Sequence, residues 1–333
     1  MVNKLWCCYG CVTTLAKIRN NISQSRKLFI FVSKFKIMEI TKAATTINEQ
    51  ISILRTRGMI IEDEKKAIEN LLDIGYYRLG FYWFPFEKSY PRKHQRDHIF
   101  KEGTNFDYAI KLYYFDFDLR NLFLRYISRI EINFRTTLIY QISNKYKDDA
   151  FWYINPKVIK KDFIDSELFQ KALRDVSSEP VVKSDLVTHR RQYAPSWKTI
   201  EYMSFGVVIS IFDNLLDGKL RHDIAVSYGM QSPNQFSSYI NTVRRLRNYC
   251  AHGKVLYDMT LPEAISTGPL GYLGNQKTML IGTYKVFSFL LGKISQNRIT
   301  EMKAELLKAF DRVTYPLVKE VIYNNSGFIE NEI

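Results

Sequence analysis

Between Phe106 and Tyr146 the sequence contains neither glycine nor proline, and Phe106, Ile110, Tyr113, Phe117, Leu124, Ile127, Phe134 and Leu138 recur at steps built from threes and fours. A strand would alternate with period two, so this pattern predicts one long helix, or two nearly collinear ones. At about 100° per residue, Arg120, Glu131 and Arg135 fall inside the apolar stripe rather than opposite it. An unpaired charge there costs several kcal/mol. Glu131 and Arg135, four residues apart, are therefore expected to pair and, with Arg120, to form a structural ion network. The alternative is an exposed strip on which the same charges are solvated.

The rest of the chain also reads as helical. Glu62–Ile74 opens with acids, places Ala67, Ile68, Leu71 and Leu72 on one face, and stops at Gly75. The aromatic run Gly75–Phe86 follows; its rings either bury themselves in a core or stack on unpaired bases, with Arg78 at hand for a phosphate. Pro195–Leu216 is apolar nearly all round and predicts a central buried helix that ends at Asp217-Gly218. Ser232-Pro233-Asn234-Gln235 predicts a capped helix start, Phe236, Ile240, Val243, Leu246 and Cys250 its buried face, and Gly253 its stop. Thr267–Asn275 is a glycine-rich loop without the features of a phosphate-binding loop, and helical patterns follow over Lys277–Ile294 and Thr300–Tyr323. The fold class expected is all-α.

Charge limits the choice of partner only after it is divided. The net charge is +14, but residues 1–37 carry seven basic residues and no acidic one, so half of the excess lies there and the remainder is mildly basic. Residues 1–37 are expected to be a basic extension outside the fold, with Met38 an alternative start, and their removal is expected to leave folding intact. Cys7, Cys8 and Cys11 crowd that segment with no His or Cys in the eighty residues after them, and Cys250 stands alone. Neither a disulfide framework nor a zinc site is expected, and the reducing cytoplasm is the expected compartment. No run reaches the roughly 18–20 apolar residues that a membrane helix needs, so no membrane partner is expected. His94 and His98 sit among Arg92, Lys93 and Arg96, which would repel a metal, and read as a solvated basic loop.

The segment Arg244-Arg-Leu-Arg247-Asn248-Tyr-Cys-Ala-His252-Gly253 carries the chemistry. A histidine can take a proton from a ribose 2′-OH or return one to the 5′-oxygen, and an arginine can hold the phosphate as charge builds on it. Alone, an Arg–His pair at this spacing is weak, since 20 arginines and five histidines would give about one by chance. Its context sharpens it, because the helical wheel places Arg247 within about 20° of Phe236 on the buried face. The bland reading of His252 is a helix C-cap. Arg247 and His252 project about 140° apart, so they meet only if the helix end unwinds or a second chain supplies one of them.

Gln50–Leu54, Arg57-Gly58-Met59, Gly75–Leu79, Phe81–Phe86, Leu119-Arg120, Ile130-Glu131, Arg135, Pro195-Ser-Trp197 with Ser204-Phe-Gly206, and Arg247-Asn248 with His252 together resemble the Abi-like family typified by AbiD and AbiF, from about Ile40 to about Phe289. The resemblance implies membership of the HEPN superfamily: a helical bundle with additional helices, acting as a metal-independent, cofactor-free endoribonuclease in abortive infection. By it, Arg247, His252 and Asn248 are the catalytic residues and the product is a 2′,3′-cyclic phosphate. Arg244, Arg245, Arg78, Arg190 and Arg191 are the candidate RNA contacts. It implies residues 38–104 as an N-terminal helical and aromatic segment and 105–325 as the HEPN-like domain. RNA is the expected substrate, a small structured RNA or a protein antitoxin the expected restraint, and a homodimer the expected assembly. The competing readings are a non-catalytic RNA-binding protein and a helical interaction partner in a defence system.

Overall fold

The computed structural model describes residues 43–329; the basic extension and its three cysteines lie outside the described residues. Among the described residues three short helices, α1 (Ile47–Thr56), α2 (Glu64–Asp73) and α3 (Tyr76–Trp83), come first. The Asp63 side chain caps α2 by accepting from the Lys66 amide, as the acidic opening predicts. The glycine- and proline-free stretch then forms a single helix, α4 (Phe106–Lys145), of 40 residues, started by the Asn105 side chain. At about 1.5 Å per residue it spans roughly 60 Å, and α3 and most of the helices that follow pack along it.

After α4 come α5 (Lys161–Ile164), α6 (Glu167–Ser177), α7 (Pro180–His189) and α8 (Ser196–Thr199). Next are α9 (Phe205–Asp213), α10 (Gly218–Ser227) and α11 (Pro233–Ala251). The last three are α12 (Leu280–Ile294), α13 (Gln296–Asp311) and α14 (Pro316–Ser326). The fold is all-α, with isolated bridges but no strand among the described residues. Aromatic contacts set the order of packing on α4: Phe115 meets Phe310 of α13 at 4.9 Å and Phe123 meets Phe287 of α12 at 5.6 Å. Farther along, Phe134 meets Phe236 of α11 at 5.3 Å and Phe212 of α9 at 6.0 Å.

Four expectations change. Pro195–Leu216 is not one helix: α8 passes into a 3-10 turn, Met203 is extended, and the Ser204 hydroxyl caps α9 by accepting from the Val207 amide. A serine inside an apolar run acted as a start signal. Thr300–Tyr323 breaks before Pro316, which lacks the amide hydrogen a continuing helix needs. Phe117 of the predicted stripe is exposed, because burial on α4 wraps around the helix through Leu112, Phe115, Leu119, Leu122 and Tyr126. The ion network is two separate pairs. Arg135 binds Glu131 at 3.0 Å, as expected, but Arg120 binds Asp116 at 3.2 Å, for eleven residues of helix place Glu131 about 16 Å along the axis.

Candidate functional site

α11 is built as its sequence predicts. The Ser232 hydroxyl accepts from the Gln235 amide, Pro233 fills the first turn, and Phe236, Ile240, Val243, Leu246 and Cys250 are buried. Burial pushes the Cys250 thiol up to about 12, so it packs as a small apolar group. Arg247 departs from the expected burial. It is half-buried, because α11 ends near the surface and a long side chain carries its guanidinium out to water. Neither it nor Asn248 has a side-chain hydrogen bond or ion pair among the described residues.

The helix does not unwind before the histidine. The His252 amide donates to the Asn248 carbonyl at 3.1 Å, the Gly253 amide to Cys250 at 3.2 Å and the Lys254 amide to Tyr249 at 2.9 Å. With Gly253 at φ +60°, this is a Schellman closure. Backbone donors thus fill the last carbonyls, and the exposed His252 imidazole caps nothing. Because α11 keeps its helical bonds through His252, the two motif side chains stay about 140° apart.

The loop after His252 is clamped by its backbone. The Arg78 guanidinium donates to the Gly253 carbonyl (2.8 Å) and Arg120 to the Lys254 carbonyl (3.3 Å). The Leu256 and Tyr257 amides both donate to the Asp116 carboxylate at 2.8 Å, and the Tyr257 hydroxyl donates to the Phe81 carbonyl at 2.8 Å. A Cβ on Gly253 would stand 3.3 Å from the Arg78 guanidinium and press on it, and φ +60° favours glycine at that position. Asp116 is fully buried and also accepts from Tyr82 (3.1 Å) and Arg120 (3.2 Å). Burial pushes its carboxyl up to about 6, against the opposing pull of those donors.

His252 opens onto a cleft of about 600 Å³. Its other lining includes Tyr77, Arg78, Phe81, Lys93, Tyr249 and Lys254. Lys254 lies over the Tyr249 ring at 5.0 Å. Arg78 is therefore brought to His252, whereas Arg247 does not line this cleft. Arg244 donates to Asn241 at 3.0 Å and packs on Gly206, and Arg245 pairs with Glu263 at 2.6 Å. Arg190 and Arg191 lie at the end of α7, outside the cleft, where Arg191 binds Asp185. The 92–98 loop is not simply solvated. Lys93 pairs with Asp258 at 2.7 Å, and Arg96 is drawn onto buried Glu87 and the Phe84 ring, which fixes the loop as one wall of the cleft.

Among the described residues no group of three or more His, Cys, Asp or Glu could hold a metal ion, and no helix is long and apolar enough to cross a membrane. Comparison with curated proteins and with solved structures found no match. Residues 69–258, more than half of the chain, match the family described as Abi-like protein. The match takes in α3, α4, the clamp and the whole motif, and leaves out the signatures at Gln50–Leu54 and Arg57–Met59.

Proposed function

The chain belongs to the Abi-like protein family, and on that premise we propose that it is an endoribonuclease of HEPN type that acts in abortive infection. What carries the reading is His252: an imidazole with no structural task, at the mouth of a cationic cleft, on a loop clamped by four backbone hydrogen bonds. In the proposed step, His252 takes the proton of a ribose 2′-OH while the 2′-oxygen attacks the adjacent phosphorus. The bond to the 5′-oxygen breaks, the 5′-oxygen receives a proton, and the products are a 2′,3′-cyclic phosphate and a 5′-hydroxyl. Arg247 and Asn248 supply hydrogen bonds to the non-bridging oxygens, where charge builds. Since one straight helix holds Arg247 and His252 apart, the complete site is assigned to a homodimer in which each chain's Arg247 faces its partner's imidazole.

The test is digestion of total RNA by purified protein in excess EDTA, with the fragment ends identified. Cleavage that leaves cyclic phosphates is expected, and His252→Ala is expected to slow it at least about a hundredfold. Full activity in that variant, or 3′-hydroxyl ends, would overturn the mechanism.

A further inference from the structure

The aromatic run of α3 divides its rings unevenly. Tyr82 and Trp83 are buried, but Tyr77 is 83% exposed and Phe81 45%. One turn apart, these two meet edge to face at 5.4 Å on the wall of the cleft that holds His252. Both are fixed in register with the imidazole, since Arg78 holds the Gly253 carbonyl and Tyr257 holds the Phe81 carbonyl.

The charges around the rings are uneven too. Asp258 neutralises Lys93 and Glu87 neutralises Arg96, which leaves Arg78 and Lys254 without an acidic partner among the described residues. Exposed rings beside unpaired cations in a concave site match a ligand that has flat apolar faces strung on an anionic backbone. A partner helix would instead call for a continuous apolar surface.

We propose that Tyr77 and Phe81 form a stacking site for an unpaired nucleobase, with Arg78 and Lys254 taking the neighbouring phosphates, so that the cleft accepts single-stranded RNA and rejects duplex. This rests on the reading of RNA as the substrate. Bases inside a duplex have no free face to offer a protein ring.

The test uses the full chain carrying His252→Ala, which leaves the ligand uncut, and a short fluorescein-labelled RNA of mixed sequence, presented single-stranded or annealed to its complement. Tyr77→Ala and Phe81→Ala are each expected to weaken single-strand binding about tenfold. Tyr77→Phe and Phe81→Tyr are expected to retain it, and duplex binding to change by less than about twofold. Unchanged single-strand affinity in the alanine variants, equal loss on duplex, or no binding to single strands would overturn the proposal. Cleavage by the wild-type chain is scored separately. Ring-dependent binding without cleavage would end the ribonuclease reading and leave this site standing; cleavage with ring-independent binding would do the reverse.

Discussion

Asp116 holds the loop beside His252 through two backbone amides, yet it is buried enough that its carboxyl is pushed up to about 6. Between roughly pH 4 and pH 6 the folded chain keeps a proton that the unfolded chain, with its usual value near 3.8, has released. The contribution of this group to stability is therefore fully present below about pH 4 and is lost as pH rises through about 6, with a limit on the order of 3 kcal/mol. Asp116→Asn removes the titration and puts an amide donor against donors. Its melting temperature is expected to lie below wild type at pH 7.5, with the gap wider at pH 4.5. A gap that narrows toward acid would contradict the shift. At this scale the sequence showed the Ser232 start and the Gly253 stop of α11, because a capped helix advertises its ends. It did not show Asp116, since an aspartate on a helix ordinarily reads as solvated. The overlooked signal was Arg120 inside the apolar stripe, which demanded an acid one turn away.

α4 carries a second, partly buried pair, and this one ties the long helix to the turn before α9. Arg135 binds Glu131 at 3.0 Å and also donates to the Met203 carbonyl at 3.0 Å. Glu131→Ala would leave a mostly buried guanidinium with one backbone acceptor, and a loss on the order of 2 kcal/mol is expected. Chemical denaturation would measure it, and a change under about 0.5 kcal/mol would mean that Met203 alone suffices. The pair was legible because helical neighbours lie four residues apart whatever surrounds them. The break at Ser204 was not. A run apolar on every side announces burial, but it does not show where a capping hydroxyl interrupts the backbone.

For the whole molecule, period and capping made the all-α class readable, whereas pairings between distant segments left no mark in one sequence. The proposed dimer belongs to this scale. Arg247→Ala and His252→Ala chains, each inactive alone, are expected to recover part of the wild-type cleavage when co-expressed and purified as a mixed dimer. In the shared-cleft arrangement one of its two sites is intact. Light scattering that shows a fully active monomer would refute it.

The clamp beside His252 joins residues 134 to 175 positions apart along the chain. Closing loops of that length is entropically costly and must precede any return from the contacts made, so such pairings form late in folding. Helices of α3, α4 and α11 can exist before the clamp does, but the cleft cannot. A chain still emerging from the ribosome, or one halted at a partly folded stage, carries every residue of the motif without the loop geometry that orders it. Whatever chemistry the cleft performs is thereby deferred to the completed fold.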